Sequence, residues 1–192
     1  IRQALTYGSE EEKRRRILRI ASRASLDIRK CLVIPINDNL HWSVVIARNL
    51  HELDSVGGDQ DETKTDSFNM PCLLLLDSAK IHRAQTVFRV LRCFLRYFLP
   101  GEKGDLISAA SAPGISLIVP QQPNDYDCGA FAIEFIRKIV QDPIRHSSLE
   151  TNTRSKKSNM AIGLKAEYWS SIRQKVENLR EILLGKFKSN LY

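Results

Sequence analysis

Apolar residues in this chain cluster in two ways. Some form short runs rich in β-branched residues, and others recur at helical spacing, so the pattern predicts a mixed α and β fold. Cys31-Leu-Val-Ile-Pro-Ile36 reads as a strand, Asn37-Asp38-Asn39 as a turn, and Trp42 to Ala47 as a second strand. So short a loop between two such runs predicts an antiparallel hairpin. Leu73 to Leu76 is apolar throughout and reads as a third, central strand buried on both faces. From 83 to 99 the apolar positions Val87, Val90/Leu91, Phe94/Leu95 and Phe98 alternate with arginines, an amphipathic helix ended by Pro100-Gly101. Residues 101–114 read as loop, and Ile115 to Val119 as a fourth strand stopped by Pro120. Gly129 to Val140 is apolar on most of its surface and predicts a buried, central helix. A last amphipathic helix is expected over about Leu164 to Leu184.

Three stretches break the pattern. Residues 10–23 read as a charged helix or arm, with a narrow apolar face at Ile17, Leu18, Ile20 and Ala21. Residues 49–69 carry six acids against one lysine and are expected to be an acidic, mobile insertion. Residues 145–163 are polar and net basic.

At 192 residues the chain fits a single domain over 1–192, and 43% hydrophobic residues suffice for a full core. The net charge of +7 favours an acidic partner, although simple solubility accounts for it equally well. The longest apolar stretch, Val87 to Leu99, is interrupted by Arg89, Arg92 and Arg96, so no membrane span is expected. The sequence opens on Ile1 without an initiator methionine and reads as a piece of something longer. Cys31, Cys72, Cys93 and Cys128 are scattered, without CxxC pairs; this argues for a reducing compartment and against a zinc site, and no metal or cofactor is expected.

The chemistry concentrates in Pro120-Gln121-Gln122-Pro123-Asn124-Asp125-Tyr126-Asp127-Cys128-Gly129. Cys128 ends a polar loop at the head of an apolar helix. There the macrodipole and free amide N–H groups favour a thiolate, and the Cys128 amide faces the space of a developing oxyanion. A buried structural cysteine is the plain alternative, and the polar neighbours argue against it. His41 follows a turn at a strand edge and could act as general base, although a lone histidine is more often structural. Asp77, at the carboxyl end of a buried strand, could orient that imidazole; it is equally well placed to cap a turn. Gln122 offers a neutral N–H donor for an oxyanion, or is simply a solvated loop glutamine. His51, His82 and His146 lie in polar sequence and receive no chemical role.

Taken together, Val33-Ile34-Pro35-Ile36-Asn37, His41-Trp42, Leu73 to Leu76 with Asp77-Ser78, and Val119-Pro120-Gln121-Gln122 through Asp127-Cys128-Gly129 resemble the ubiquitin-like-protein (Ulp, sentrin/SUMO-specific) cysteine protease family. The resemblance covers about residues 31–142. It implies an α+β, papain-like fold, a small, mostly antiparallel sheet with helices around it. It also implies Cys128 as nucleophile, His41 as base, Asp77 as orienter, Gln122 as oxyanion donor and Trp42 as cover of a tunnel for a Gly-Gly tail. Only glycines let a backbone thread that close to a thiol. The implied reaction is hydrolysis after the diglycine of SUMO or a SUMO-like modifier, by a monomer in the nucleus and also the cytoplasm. The 49–69 insertion and basic arm resemble the divergent branch that trims poly-SUMO chains. Only 40 residues precede His41, where the family carries a substantial substrate-contacting segment, so part of that segment is expected to be missing from this sequence.

Two other classes compete. One keeps the chemistry but takes ubiquitin or another modifier; the other is a non-catalytic modifier-binding scaffold. Nucleic-acid binding rests only on the basic clusters, with no zinc finger or aromatic-basic motif behind it.

Overall fold

The structure, a computed structural model, describes residues 7–24, 31–57, 70–99, 102–144, 160–164 and 166–189. In chain order these form α1 (Glu10–Ala24), β1 (Cys31–Asp38), β2 (His41–Arg48), a 3₁₀ helix (Leu50–Gly57), β3 (Cys72–Leu76) and α2 (Ala84–Phe98). There follow α3 (Lys103–Leu106), β4 (Gly114–Ile118), α4 (Cys128–Gln141), β5 (Met160–Gly163), a second 3₁₀ helix (Ala166–Trp169) and α5 (Ile172–Ser189). The fold is α+β, as the resemblance implied.

The five strands form one sheet in the order β1-β2-β3-β4-β5. β3 lies at its centre, and all five of its residues are buried, so the unbroken run Cys72-Leu-Leu-Leu-Leu76 needs no polar face. β1 lies at one edge and alternates exposed and buried positions; its Pro35, exposed, lacks the N–H that an inner strand would need. The hairpin turn is Asn39-Leu40, one residue later than the sequence suggests, and both residues have positive φ (52° and 61°). Two consecutive residues of that hand mark a type I′ hairpin turn, whose twist matches the flanking strands. β5 was not anticipated. It occupies four residues, Met160–Gly163, at the end of the stretch 145–163 that reads as polar and net basic.

The chain divides into two compact units. One takes its described residues from Ile1–Leu32, Ile46–Leu74 and Arg83–Ile115, the other from Val33–Val45, Leu75–His82 and Ser116–Tyr192. In the first, Ser9 and Glu12 form a capping box at the start of α1: the Ser9 amide donates to the Glu12 carboxylate (2.7 Å) and the Glu12 amide to Ser9 Oγ (3.3 Å). α2 buries Phe88, Leu91, Phe94, Leu95 and Phe98, each contributing roughly 1.5–3 kcal/mol of apolar transfer. Gly114 is required at the start of β4, because a Cβ there would run into the Phe88 ring. The acidic stretch begins as ordered structure: Leu50 and Leu53 of the 3₁₀ helix are each 2% exposed. Residues 58–69 of that expected insertion lie outside the described residues.

In the second unit α4 packs on α5 and on the second 3₁₀ helix. Phe135 meets Trp169 edge-on at 5.2 Å between ring centroids, and Phe131 lies 5.8 Å from Phe135. α4 is less uniformly buried than its composition suggests. Cys128, Phe131, Ala132, Glu134, Phe135 and Ile139 are buried, whereas Ile133 and Val140 are exposed. The buried Glu134 is ion-paired with the half-exposed Arg137 one turn on (Nη1–Oε1 2.9 Å). Among the described residues no helix is long and apolar enough to cross a membrane.

Leu40 is 93% exposed, so its side chain contributes almost no burial to offset its left-handed backbone. That conformation costs an L-residue roughly 1–2 kcal/mol, against roughly 0.5–1 kcal/mol of extra backbone entropy for glycine. Leu40→Gly is therefore expected to stabilise the protein by about 0.5–1 kcal/mol in denaturant melts. A lower melting midpoint would show that the exposed leucine contributes something else.

Candidate active site

All five residues singled out by sequence lie in the second unit. β2 supplies two of them. Its first residues alternate, with His41 and Ser43 buried and Trp42 exposed between them. β3 ends at Leu76, and Asp77 follows at once, 7% exposed. His41 Nε2 donates to Asp77 Oδ1 at 2.7 Å, with both side chains almost fully enclosed. Nδ1 is then the ring nitrogen left for a second partner.

Asp77 is gripped from its own chain as well. Its Oδ1 accepts from the amides of Ala79 (3.0 Å) and Lys80 (2.9 Å), and its Oδ2 from the amide of His82 (2.9 Å). Lys80 adopts φ 56° as the loop folds back around the carboxylate. Burial pushes the Asp77 carboxyl up, but the amides of Ala79 and His82 and the His41 ring outweigh it and hold the group below its ordinary value. The site so formed keeps an ionised carboxylate beside an imidazole.

The loops that leave β3 and β4, neighbours in the sheet, are stitched together. The Gln122 amide donates to Ser78 O (2.9 Å), and Ser78 Oγ donates to Gln122 Oε1 (2.7 Å). Gln121 Nε2 reaches Val119 O (2.9 Å) and Asp77 O (3.3 Å). Because Ser78 occupies Oε1, the other end of the Gln122 side chain is the donor. Its Nε2 contacts Asn124 O at 2.5 Å and has a second proton to offer.

Cys128 is the first residue of α4 and 4% exposed. Asn124 shapes the turn before it: its Oδ1 accepts from the amides of Tyr126 (3.2 Å) and Asp127 (3.0 Å), and its Nδ2 donates to Asp127 Oδ2 (2.8 Å). Arg180 of α5 reaches the same Asp127 oxygen (3.7 Å) and lies over the Tyr126 ring (5.8 Å). Trp42 stands beside the head of α4, with its Cδ1 only 3.6 Å from where a Cβ on Gly129 would be. The start of β2 thus reaches the residue next to Cys128. A thiol at a helix N-terminus, a carboxylate-held imidazole and a side-chain amide donor are the parts that acyl transfer by a thiol uses.

His82, given no role from sequence, also lies here. Its side chain is 6% exposed, and its ring centroid is 4.9 Å from that of His41. Histidine five residues after an aspartate at a strand end was the only available signal, and it carries little weight alone. Donor atoms of His41, Asp77 and His82 all lie within 4.8 Å of one another, close enough to raise the question of a metal. Tetrahedral coordination at ordinary zinc distances would hold ligand atoms about 3.3 Å apart. The 2.7 Å between His41 Nε2 and Asp77 Oδ1 is a hydrogen bond instead, and Asp77 already accepts three amides.

A family model described as "Ulp1 protease family, C-terminal catalytic domain" matches residues 6–185. Ubiquitin-like-specific protease 2 of Schizosaccharomyces pombe is 27% identical over 72% of this chain and 25% of its own length. Ubiquitin-like-specific protease 1C of Arabidopsis thaliana is 29% identical over 62% of the chain and 21% of its own length. Sentrin-specific protease 7 of Mus musculus is 24% identical over 70% and 13%. The chain therefore spans a quarter or less of these relatives. A solved structure titled "Crystal structure of the de-sumoylating protease" superposes with a TM-score of 0.60 at 22% identity, covering 89% of this chain and 62% of that one; it shows a shared fold.

The depressed Asp77 sets a pH dependence. A carboxyl whose folded value lies below its unfolded one contributes stability above the unfolded range, about pH 4, and loses it as pH falls through the folded value. The stability gap between the wild type and Asp77→Asn is thus expected to be widest near neutrality and to shrink in more acid solution. Urea titrations at pH 6 and pH 3 measure it; a gap of equal size at both would contradict the assignment.

Proposed function

The chain belongs to the Ulp1 protease family, and from that membership and the site we propose a cysteine protease that hydrolyses the bond after the C-terminal diglycine of SUMO or a SUMO-like modifier. The observation that carries it is the buried His41–Asp77 pair on β2 and β3, with Trp42, the next residue of β2, against Gly129 beside Cys128. In this reading His41 Nδ1 takes the Cys128 proton, and the thiolate attacks the glycine carbonyl carbon. The oxyanion accepts N–H from the Cys128 amide and from Gln122 Nε2. Collapse breaks the C–N bond, the lysine amine leaves with the proton held by His41, and a thioester remains. Water, deprotonated by His41, then attacks the thioester and releases the modifier's carboxylate and the thiol. Asp77 holds the ring and stabilises its cation throughout. Trp42, 43% exposed, covers the glycines.

The +7 net charge supports an acidic modifier surface as partner. The same reading extends to trimming of modifier chains, from the acidic sequence between β2 and β3, and to a nuclear address, from the Lys13 to Arg16 cluster in α1.

Cleavage of SUMO-, ubiquitin- and other modifier-diglycine coumarin substrates tests it. The expected outcome is turnover of the SUMO substrate, abolished in Cys128→Ser with SUMO binding retained. Gln122→Ala is expected to lose about 10²–10³-fold in kcat. Binding without turnover, and no adduct on Cys128 from a diglycine electrophile, would instead identify a modifier-binding scaffold.

A further inference from the structure

We propose that His82 is a positioning residue for the His41–Asp77 pair, a second imidazole whose ring fixes the ring of the base. The inference deepens the thiol-protease reading and rests on it.

His82 contacts the pair in two ways. Its backbone amide donates to Asp77 Oδ2 at 2.9 Å, opposite the oxygen that receives His41. Its ring lies against the His41 ring at 4.9 Å between centroids, tilted by 52°. The His82 ring is itself anchored at both nitrogens. Nε2 faces the Asp38 carbonyl at 3.4 Å, and a carbonyl can only accept, so Nε2 carries the proton. Nδ1 shares a hydrogen bond of 2.7 Å with Ser43 Oγ. Ser43 and His41 sit two apart on β2 and share its buried face, so one strand supplies both the base and the hydroxyl that locks the ring behind it. The ionisable groups facing the His82 ring are His41 from β2 and Asp77 from the end of β3, with Asp38 of β1 presenting its carbonyl; exposed Lys80 and Arg83 flank it in sequence.

A hydrogen bond alone leaves an imidazole free to pivot about Nε2···Oδ1. A wall against one face removes that freedom and keeps Nδ1 aimed in a single direction. Without the His82 ring, the His41 ring loses its alignment on Asp77, and the thiolate–imidazolium pair forms only at higher pH.

The test uses the full 192-residue chain. Iodoacetamide alkylation of Cys128 against pH reports the ion pair without any substrate, and a SUMO-diglycine coumarin reports kcat and KM. His82→Ala is expected to lose roughly 10- to 100-fold in kcat with little change in KM, and its alkylation profile moves to higher pH. Ser43→Ala, a milder change, moves both in the same direction by less. His82→Gln, which can still accept from Ser43 and donate to the Asp38 carbonyl, leaves the ring wall open and stays below wild-type kcat. Folded His82→Ala with wild-type kcat and profile overturns the proposal, as does His82→Ala that misfolds together with Ser43→Ala that is unchanged. A wild-type protein whose Cys128 neither alkylates nor turns over substrate takes down the protease reading as well.

Discussion

A single ionised carboxylate, Asp77, organises this site. A lone buried charge is among the costliest things a protein can enclose, and it persists only where hydrogen bonds replace the water it loses. Asp77 receives three backbone amides and one imidazole N–H. The amides come from its own following loop, which requires Lys80 to adopt a left-handed conformation. That loop therefore has a definite shape whether or not a substrate is present. The position of His41 and the contacts of His82 both follow from it.

The delivery of Asp77 depends on β3, and the presentation of His41 depends on β2. β3 is apolar at every position and central in the sheet, so it is anchored by burial on both faces and its end is well placed. β2 has a stricter task. Side chains alternate faces, so a one-residue slip would bury Trp42 and expose His41. The type I′ turn at Asn39-Leu40 fixes the register, even at the cost of a leucine in left-handed backbone. Base and tryptophan are thus opposite faces of one register.

The elements with strong periodicity were legible in the chain: β3, α2, α4 and the hairpin all fall within a few residues of their expected bounds. Weak signals were not. β5 is four residues long, and no pattern of period two can be read over so few. The Ser9–Glu12 capping box was there to be read, and would have turned a charged helix or arm into a helix with a defined start. Exposed Ile133 and Val140 show that α4's composition overstated its burial, since residue type records what can be buried rather than what is. For the site, Cys128, His41, Asp77 and Gln122 could be named because their residue types and chain order suit thiol chemistry, and Trp42 because of the family resemblance. His82 and Ser43 could not, because their significance lies in contacts between β2 and the loop after β3, and a sequence does not print contacts.

The pairing of the β3 and β4 exit loops bears on how a side-chain amide can serve as an electrostatic donor at all. A glutamine free in solvent would have to be ordered at the moment of reaction, and its two ends are nearly identical in shape. Here Ser78 is 1% exposed and has its hydroxyl on Gln122 Oε1, while the Gln122 backbone amide is tied to the Ser78 carbonyl. These two bonds pin one residue at both its main chain and its acceptor end, so the N–H end is presented by exclusion. Ser78 directly follows the carboxylate that holds His41. The dipeptide Asp77-Ser78 therefore holds the His41 ring through one residue and the Gln122 side chain through the next, as the proposed base and donor would require. Catalysis by preorganised dipoles requires the orienting work to be done during folding, and under the proposed mechanism two adjacent side chains at the end of one buried strand would do much of it.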